Sequence, residues 1–112
     1  MCIRDSHPHV LQRIEQYGSG VIYYSLGNFS FGGNTNPRDR DTAVLQQEVI
    51  RGTDGSIRLG ALTIIPCCVS STEGVNDFRP TPYAEGSEEY ARTLTKLDGT
   101  FDGPDLTVTY YN

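Results

Sequence analysis

The sequence predicts the α/β class in the form of an α+β piece, strand-rich with one main helix. Three observations carry that reading. Two pairs of short β-type runs, within residues 10–27 and 42–65, are each joined by a Gly-containing turn. Only residues 87–97 combine helical spacing with capping residues at both ends. The 12 Gly and 6 Pro are scattered along 112 residues, which favours turns and short strands over long helices.

The first pair is VLQRIEQY (10–17) and VIYYSLG (21–27), separated by Gly18-Ser19-Gly20. Val10, Ile14 and Tyr17 also fit one face of a helix. The tight turn and the β-branched and aromatic second run favour a hairpin instead. Residues 28–42 (NFSFGGNTNPRDRDT) form a polar loop, long for a compact domain and of the kind that carries function. TAVLQQEVI and SIRLGALTII then make a second hairpin around Asp54-Gly55. In it Ile57, Leu59 and Ala61 alternate with Arg58 and Gly60, which predicts one buried face.

Beyond Pro66 the period is lost, and Pro80 and Pro82 predict an extended connection along the surface. The helix at 87–97 has Ser87 as N-cap, Glu88 and Glu89 in its first turn, Lys96 in its last and Gly99 to end it. Its expected apolar stripe is Tyr90, Ala91, Leu94 and Leu97. LTVTYY (106–111) reads as a final strand. One helix and two hairpins leave sheet faces and edges uncovered, so the chain reads as part of something larger.

Composition removes several function classes. Nine basic against 14 acidic residues give a net charge of -5, and Lys96 is the one lysine. An acidic chain without a basic stripe is no general nucleic-acid or anionic-membrane binder. No apolar run approaches the roughly 20 residues of a membrane span, and no targeting segment is present. Cys67 and Cys68 are adjacent, where a bridge would be strained, so buried free thiols are expected. There is no CxxC pair to hold zinc.

His7-Pro8-His9 is the triplet richest in chemistry. Pro8 favours an extended chain, in which residues two apart project to one side, about 6.5–7 Å apart at Cα. Two imidazoles so placed can converge on one ion, or on two ions of a dinuclear centre. Spacing alone favours a pair of solvent-exposed histidines over a metal site, and the chain has no third His. Asp39 and Asp41 lack calcium-loop spacing and alternate with Arg38 and Arg40, so a solvated, locally paired loop is expected. Ser25 in YYSLG is not in a nucleophile elbow, and FGGN at 31–34 lacks the Lys of a phosphate loop. Tyr23, Tyr24, Phe29 and Phe31 read as core and rim packing, one of which could line a substrate cleft.

Taken together, HPHVLQ, a gap of about a dozen residues and YSLGNF resemble the C-terminal region of the CapA family of capsule and poly-γ-glutamate synthesis proteins. QQEVI, IIPCCVSS and FRPTPYAEGSEEYARTL extend the likeness over about residues 7–98. That family is similar to the calcineurin-like metallophosphoesterases, which implies part of a four-layer α/β/β/α sandwich with a dinuclear metal site. By residue matching, His7 and His9 fall on the two histidines of a late GHxH motif and are the implied metal ligands. Asn28 and Phe29 of SLGNF are the candidate substrate contacts; Asn28 has no following acidic residue, so it is not the phosphoesterase GNHE motif. No catalytic residue is assigned.

The resemblance expects a hydrophobic strand ending in Gly ahead of the first His, and the chain has MCIRDS there. That hexapeptide resembles the translation of ATGTGTATAAGAGACAG, a transposon-end sequencing adapter. Residues 1–6 are therefore expected to be non-native, and 7–112 to be the C-terminal part of a truncated CapA-type domain. The implied whole protein is an extracytoplasmic, membrane-associated, metal-dependent hydrolase-like protein of the bacterial cell envelope. Its implied cofactors are divalent ions, bound weakly or not at all by this piece, which is expected to be inactive alone. Its implied partners are the N-terminal half of the same domain, an anionic cell-surface polymer or its precursor, and other capsule-synthesis membrane proteins, with no nucleic acid. The alternative is a non-catalytic envelope scaffold that binds or guides the anionic polymer.

Overall fold

The computed structural model describes residues 2–4, 9–33 and 35–103. Their elements run β1 (Cys2–Arg4), β2 (Ile14–Tyr17), β3 (Gly20–Tyr23), β4 (Asp41–Arg51), β5 (Ile57–Cys68), β6 (Thr81–Pro82) and α1 (Glu88–Asp98). The result is strand-rich with a single helix among the described residues, as expected. The strand proposed at 106–111 lies outside them.

In the first sheet, ordered β1-β3-β2, β3 is central, parallel to β1 and antiparallel to β2. Val21 and Tyr23 of β3 are accordingly buried. Tyr17 pairs with Gly20, so the turn is Gly18-Ser19, with Gly at the positive-φ position. Residues 10–13 leave the regular ladder but stay alongside the sequel of β3. Gln12 N–H donates to the Ser25 carbonyl, Tyr24 N–H donates to the Arg13 carbonyl, and Leu11 bridges Leu26.

The second sheet, ordered β4-β5-β6, is antiparallel throughout. Its expected alternation breaks. Gln47 pairs with Leu62 but Val49 pairs with Leu59, so β5 carries one extra residue around Gly60 and Ala61. That residue switches the inward set: Leu59, Leu62 and Ile64 are half-buried, whereas Ala61 and Ile57 are exposed. Polar side chains satisfy the bulge. The Gln47 amide donates to the Gly60 carbonyl (3.1 Å), and Ala61 N–H donates to Glu48 Oε2 (3.0 Å).

Helix α1 starts and stops where its caps dictate. Ser87 Oγ accepts from Tyr90 N–H, and Gly99 ends the helix with φ 83°. Its buried face is the expected stripe turned toward Thr93 and Lys96, with Tyr90 and Leu94 half-buried. Thr93, Lys96 and Leu97 are buried, while Ala91 is exposed. Leu97 joins Leu11 and Ala43 in the core, with Ile14, Leu45 and Ile64 packed around them.

The reason for that rotation is electrostatic, and it corrects the expectation of a solvated Asp39–Asp41 loop. Both aspartates are buried, at 3% and 1% exposure. Lys96 Nζ reaches Asp39 Oδ1 at 3.0 Å and Asp41 Oδ2 at 2.7 Å. Arg92 grips Asp41 with Nε and Nη2, both at 2.7 Å, and the Tyr83 hydroxyl donates to the same carboxylate. In an extended RDRD segment the aspartates share one side, which here faces the helix, while Arg38 on the other side is exposed. Cys67 is buried and Cys68 half-buried, both free thiols; burial pushes the Cys67 thiol upward.

Candidate functional site

The Leu11–Leu26 bridge lays the segment starting at His9 beside SLGNF. The sharp turn out of SLGNF belongs to Gly27, at φ 73°. A Cβ there would lie 3.2 Å from the Asp41 carbonyl and 3.4 Å from Leu11 N, so the left-handed conformation favours glycine and a side chain would crowd the β4 backbone. Ser25, wholly buried, accepts from Gly27 N–H, and Thr42 Oγ1 donates to the Leu26 carbonyl. Ser25 is thus a structural hydroxyl.

This framework sends the Asn28 side chain inward, 4% exposed, against His9. Asn28 Oδ1 lies 2.9 Å from His9 Nδ1, and Asn28 Nδ2 donates to the His9 carbonyl at 2.8 Å. His9 is half-buried with φ 68°. Its left-handed backbone departs from the extended conformation expected of the whole HPH triplet and turns the ring toward Asn28. His7 lies outside the described residues. The Phe31 ring stands 4.3 Å from the His9 ring, tilted by 36°. His9, Leu26, Phe29, Phe31, Ala43 and Val44 line a cleft of about 410 Å³ with mostly apolar walls.

Of the candidate substrate contacts, Phe29 lines this cleft and is 38% exposed, whereas Asn28 has its amide committed to His9. Asp39 and Asp41 are not among the residues that line the cleft and are held in their ion-pair cluster. Burial pushes the Asp41 carboxyl up, but bonds from Arg92, Lys96 and Tyr83 outweigh it and hold the group below the ordinary carboxylate range. Burial and the neighbouring Asp41 push the Tyr83 hydroxyl well up. Among the described residues, no group of three or more His, Cys, Asp or Glu is arranged to hold a metal ion. A neutral imidazole at the rim of an apolar cleft can serve as one ligand to a divalent ion or as an acid–base group.

Sequence reasoning missed two features. The Asn28–His9 contact joins residues 19 apart whose adjacency depends on a turn at Gly27, and no local pattern announces it. The aspartate–helix cluster did leave a signal: aspartates at alternate positions and a lone lysine one residue from Leu97 on the helix.

Residues 2–33 match the family described as bacterial capsule synthesis protein PGA_cap. The chain is 41% identical over 58 residues to the PGA biosynthesis protein CapA of Bacillus subtilis (strain 168), covering 52% of this chain and 15% of that protein. It is 50% identical over 40 residues to the capsule biosynthesis protein CapA of Bacillus anthracis, covering 36% of this chain and 10% of that protein. No solved structure matches the chain.

Proposed function

We propose that this chain is part of a CapA-type capsule synthesis protein, a reading its matches support, and that it contributes one corner of a metal-dependent, phosphoesterase-like hydrolase site. The site would act at the cell envelope in assembly or export of poly-γ-glutamate or another capsule polymer. The observation that carries the reading is His9: the family match includes it, and its ring stands at the rim of a cleft beside Phe31.

His9 would supply one imidazole of a ligand set, and His7 is proposed as a further ligand. The remaining ligands would come from other segments of the protein, since the described residues complete no cluster. Bound divalent ions would supply Lewis-acid polarisation of a phosphate or carboxylate oxygen. The chain's own contribution is to hold the imidazole and to wall the cleft with Phe29 and Phe31, which limits water beside the ligand. Two sheets and one helix are parts that a four-layer α/β/β/α sandwich uses, and the upstream half of that domain is the proposed partner. No helix of the described residues is long and apolar enough to cross a membrane; the proposed envelope role rests on the likeness to capsule synthesis proteins.

The second reading is a non-catalytic scaffold that binds or guides the anionic polymer, and the incomplete ligand set among the described residues favours it. One experiment separates the two. The chain and its His7→Ala/His9→Ala double variant are equilibrated with Zn²⁺ or Mn²⁺, and bound metal is counted by mass spectrometry. Retention of poly-γ-glutamate is measured on the same samples. The metal reading expects weak occupancy that the double variant loses. Unchanged occupancy, with polymer retained without metal, leaves the scaffold.

A further inference from the structure

We propose that Asn28 is the positioning residue of this site: it fixes His9 as the Nδ1–H tautomer and so makes Nε2 the nitrogen that can take a divalent ion. The tautomer assignment stands on geometry alone, while its use toward a metal rests on the reading given above.

The geometry resolves both ambiguous groups together. An amide side chain has one end that only accepts and one that only donates. The Asn28 end facing the His9 backbone meets a carbonyl oxygen, which can only accept, so that end is Nδ2–H₂ (2.8 Å). The other end is therefore Oδ1, an acceptor, and it faces His9 Nδ1 at 2.9 Å. Two acceptors at that distance would repel, so Nδ1 carries the proton. In a neutral imidazole the lone pair then belongs to Nε2.

Such a contact is what a ligating histidine needs. Metal-bound imidazoles almost always donate their other N–H to an oxygen, which sets ring orientation and raises ligand basicity. Asn28 does more than accept from the ring, because its second bond holds the His9 backbone in an uncommon left-handed conformation. The Asn28 side chain thus contacts both the ring and the main chain of His9. That side chain is buried at 4% exposure and follows Gly27, whose turn is pinned by Ser25 and Thr42. Phe31 packs against the ring and narrows its range of motion further.

The test uses the ¹⁵N-labelled 112-residue chain under mildly alkaline conditions, with imidazole nitrogens read by long-range ¹H–¹⁵N correlation. The chain has two histidines, so a His7→Gln variant assigns His9. The expected wild-type signature is a protonated Nδ1 and a lone-pair Nε2. Asn28→Ala should convert His9 to a mixture of tautomers, whereas Asn28→Asp, which still accepts from Nδ1–H but cannot donate to the His9 carbonyl, should keep Nδ1 protonated while the His9 backbone amide shifts. Zn²⁺ alone is then titrated into each protein. The wild type should shift at Nε2, and Asn28→Ala should weaken Zn²⁺ about 10–100-fold.

An Asn28→Ala chain with an unchanged tautomer overturns the inference, as does a wild type protonated at Nε2. Should Asn28→Ala not fold, the wild type decides: a His9 ring that exchanges between tautomers there overturns the inference equally. A wild type with the expected tautomer but no Zn²⁺ response at Nε2 sinks the metal reading and leaves Asn28 as the residue that positions His9.

Discussion

At Asp41 burial and charge pairing oppose each other, and pairing wins. Burial alone would raise this carboxyl, yet Arg92, Lys96 and Tyr83 surround it and hold it low. A group whose folded pKa lies below its unfolded value of about 3.8 stabilises fully above that value. The contribution is lost as pH falls through the lower, folded value. Acid unfolding followed by circular dichroism should therefore begin below about pH 4 and be blunted in Asp41→Asn. Lys96→Met should be the costlier change, since it removes the buried cation that pairs with both Asp39 and Asp41 and leaves only Asp41 its Arg92 bonds. Breaking a buried pair of this kind costs about 3–5 kcal/mol, measured as a shift in urea midpoint. None of this was legible residue by residue. RDRD looks like a solvated loop until the helix supplies the counter-charges, and a lone Lys in a last helical turn looks like a dipole partner.

Caps and turns speak locally, which is why α1 was readable to within a residue at both ends while its buried face was readable only in part. Ser87, the two glutamates and Gly99 act through backbone groups next to them. The face, by contrast, is set by Asp39 and Asp41, more than 50 residues away in sequence. Ser87→Ala should cost about 1 kcal/mol in chemical denaturation, the usual worth of an N-cap hydroxyl, with the helix otherwise intact. The β4–β5 hairpin shows the same division. Its turn was legible from Asp54-Gly55, but the bulge depends on Glu48 reaching across to Ala61 N–H. A Cβ on Gly60 would lie 2.1 Å from Glu48 Oε2 and 2.9 Å from Ile50 Cδ1. Gly60→Ala should thus expel the Glu48 carboxylate, and amide exchange at Ala61 should accelerate while exchange at Val21 and Tyr23 stays unchanged. Equal acceleration at all three would show that the bulge is not a local device.

Over the whole molecule, the cleft exists because separate segments converge: the stretch after Pro8, the SLGNF turn and the start of β4. Sequence pointed to the HPH triplet and to SLGNF as separate motifs, and their likeness to one family tied them to one site. It could not show that Asn28 faces His9, because that contact depends on a left-handed His9 and on the close approach of Gly27 to β4. The acidic net charge of -5 offers divalent ions other places to gather, notably the exposed first turn of α1 with Glu88 and Glu89. Location therefore tests the account more directly than affinity does. Trace Mn²⁺ added to the ¹⁵N-labelled chain broadens the resonances nearest the bound ion. The account predicts broadening centred on His9 and spreading to Gly27, Asn28 and Phe31, abolished in the His7→Ala/His9→Ala variant. Broadening centred instead on Glu88 and Glu89, with His9 sharp and the double variant indistinguishable from wild type, would contradict it.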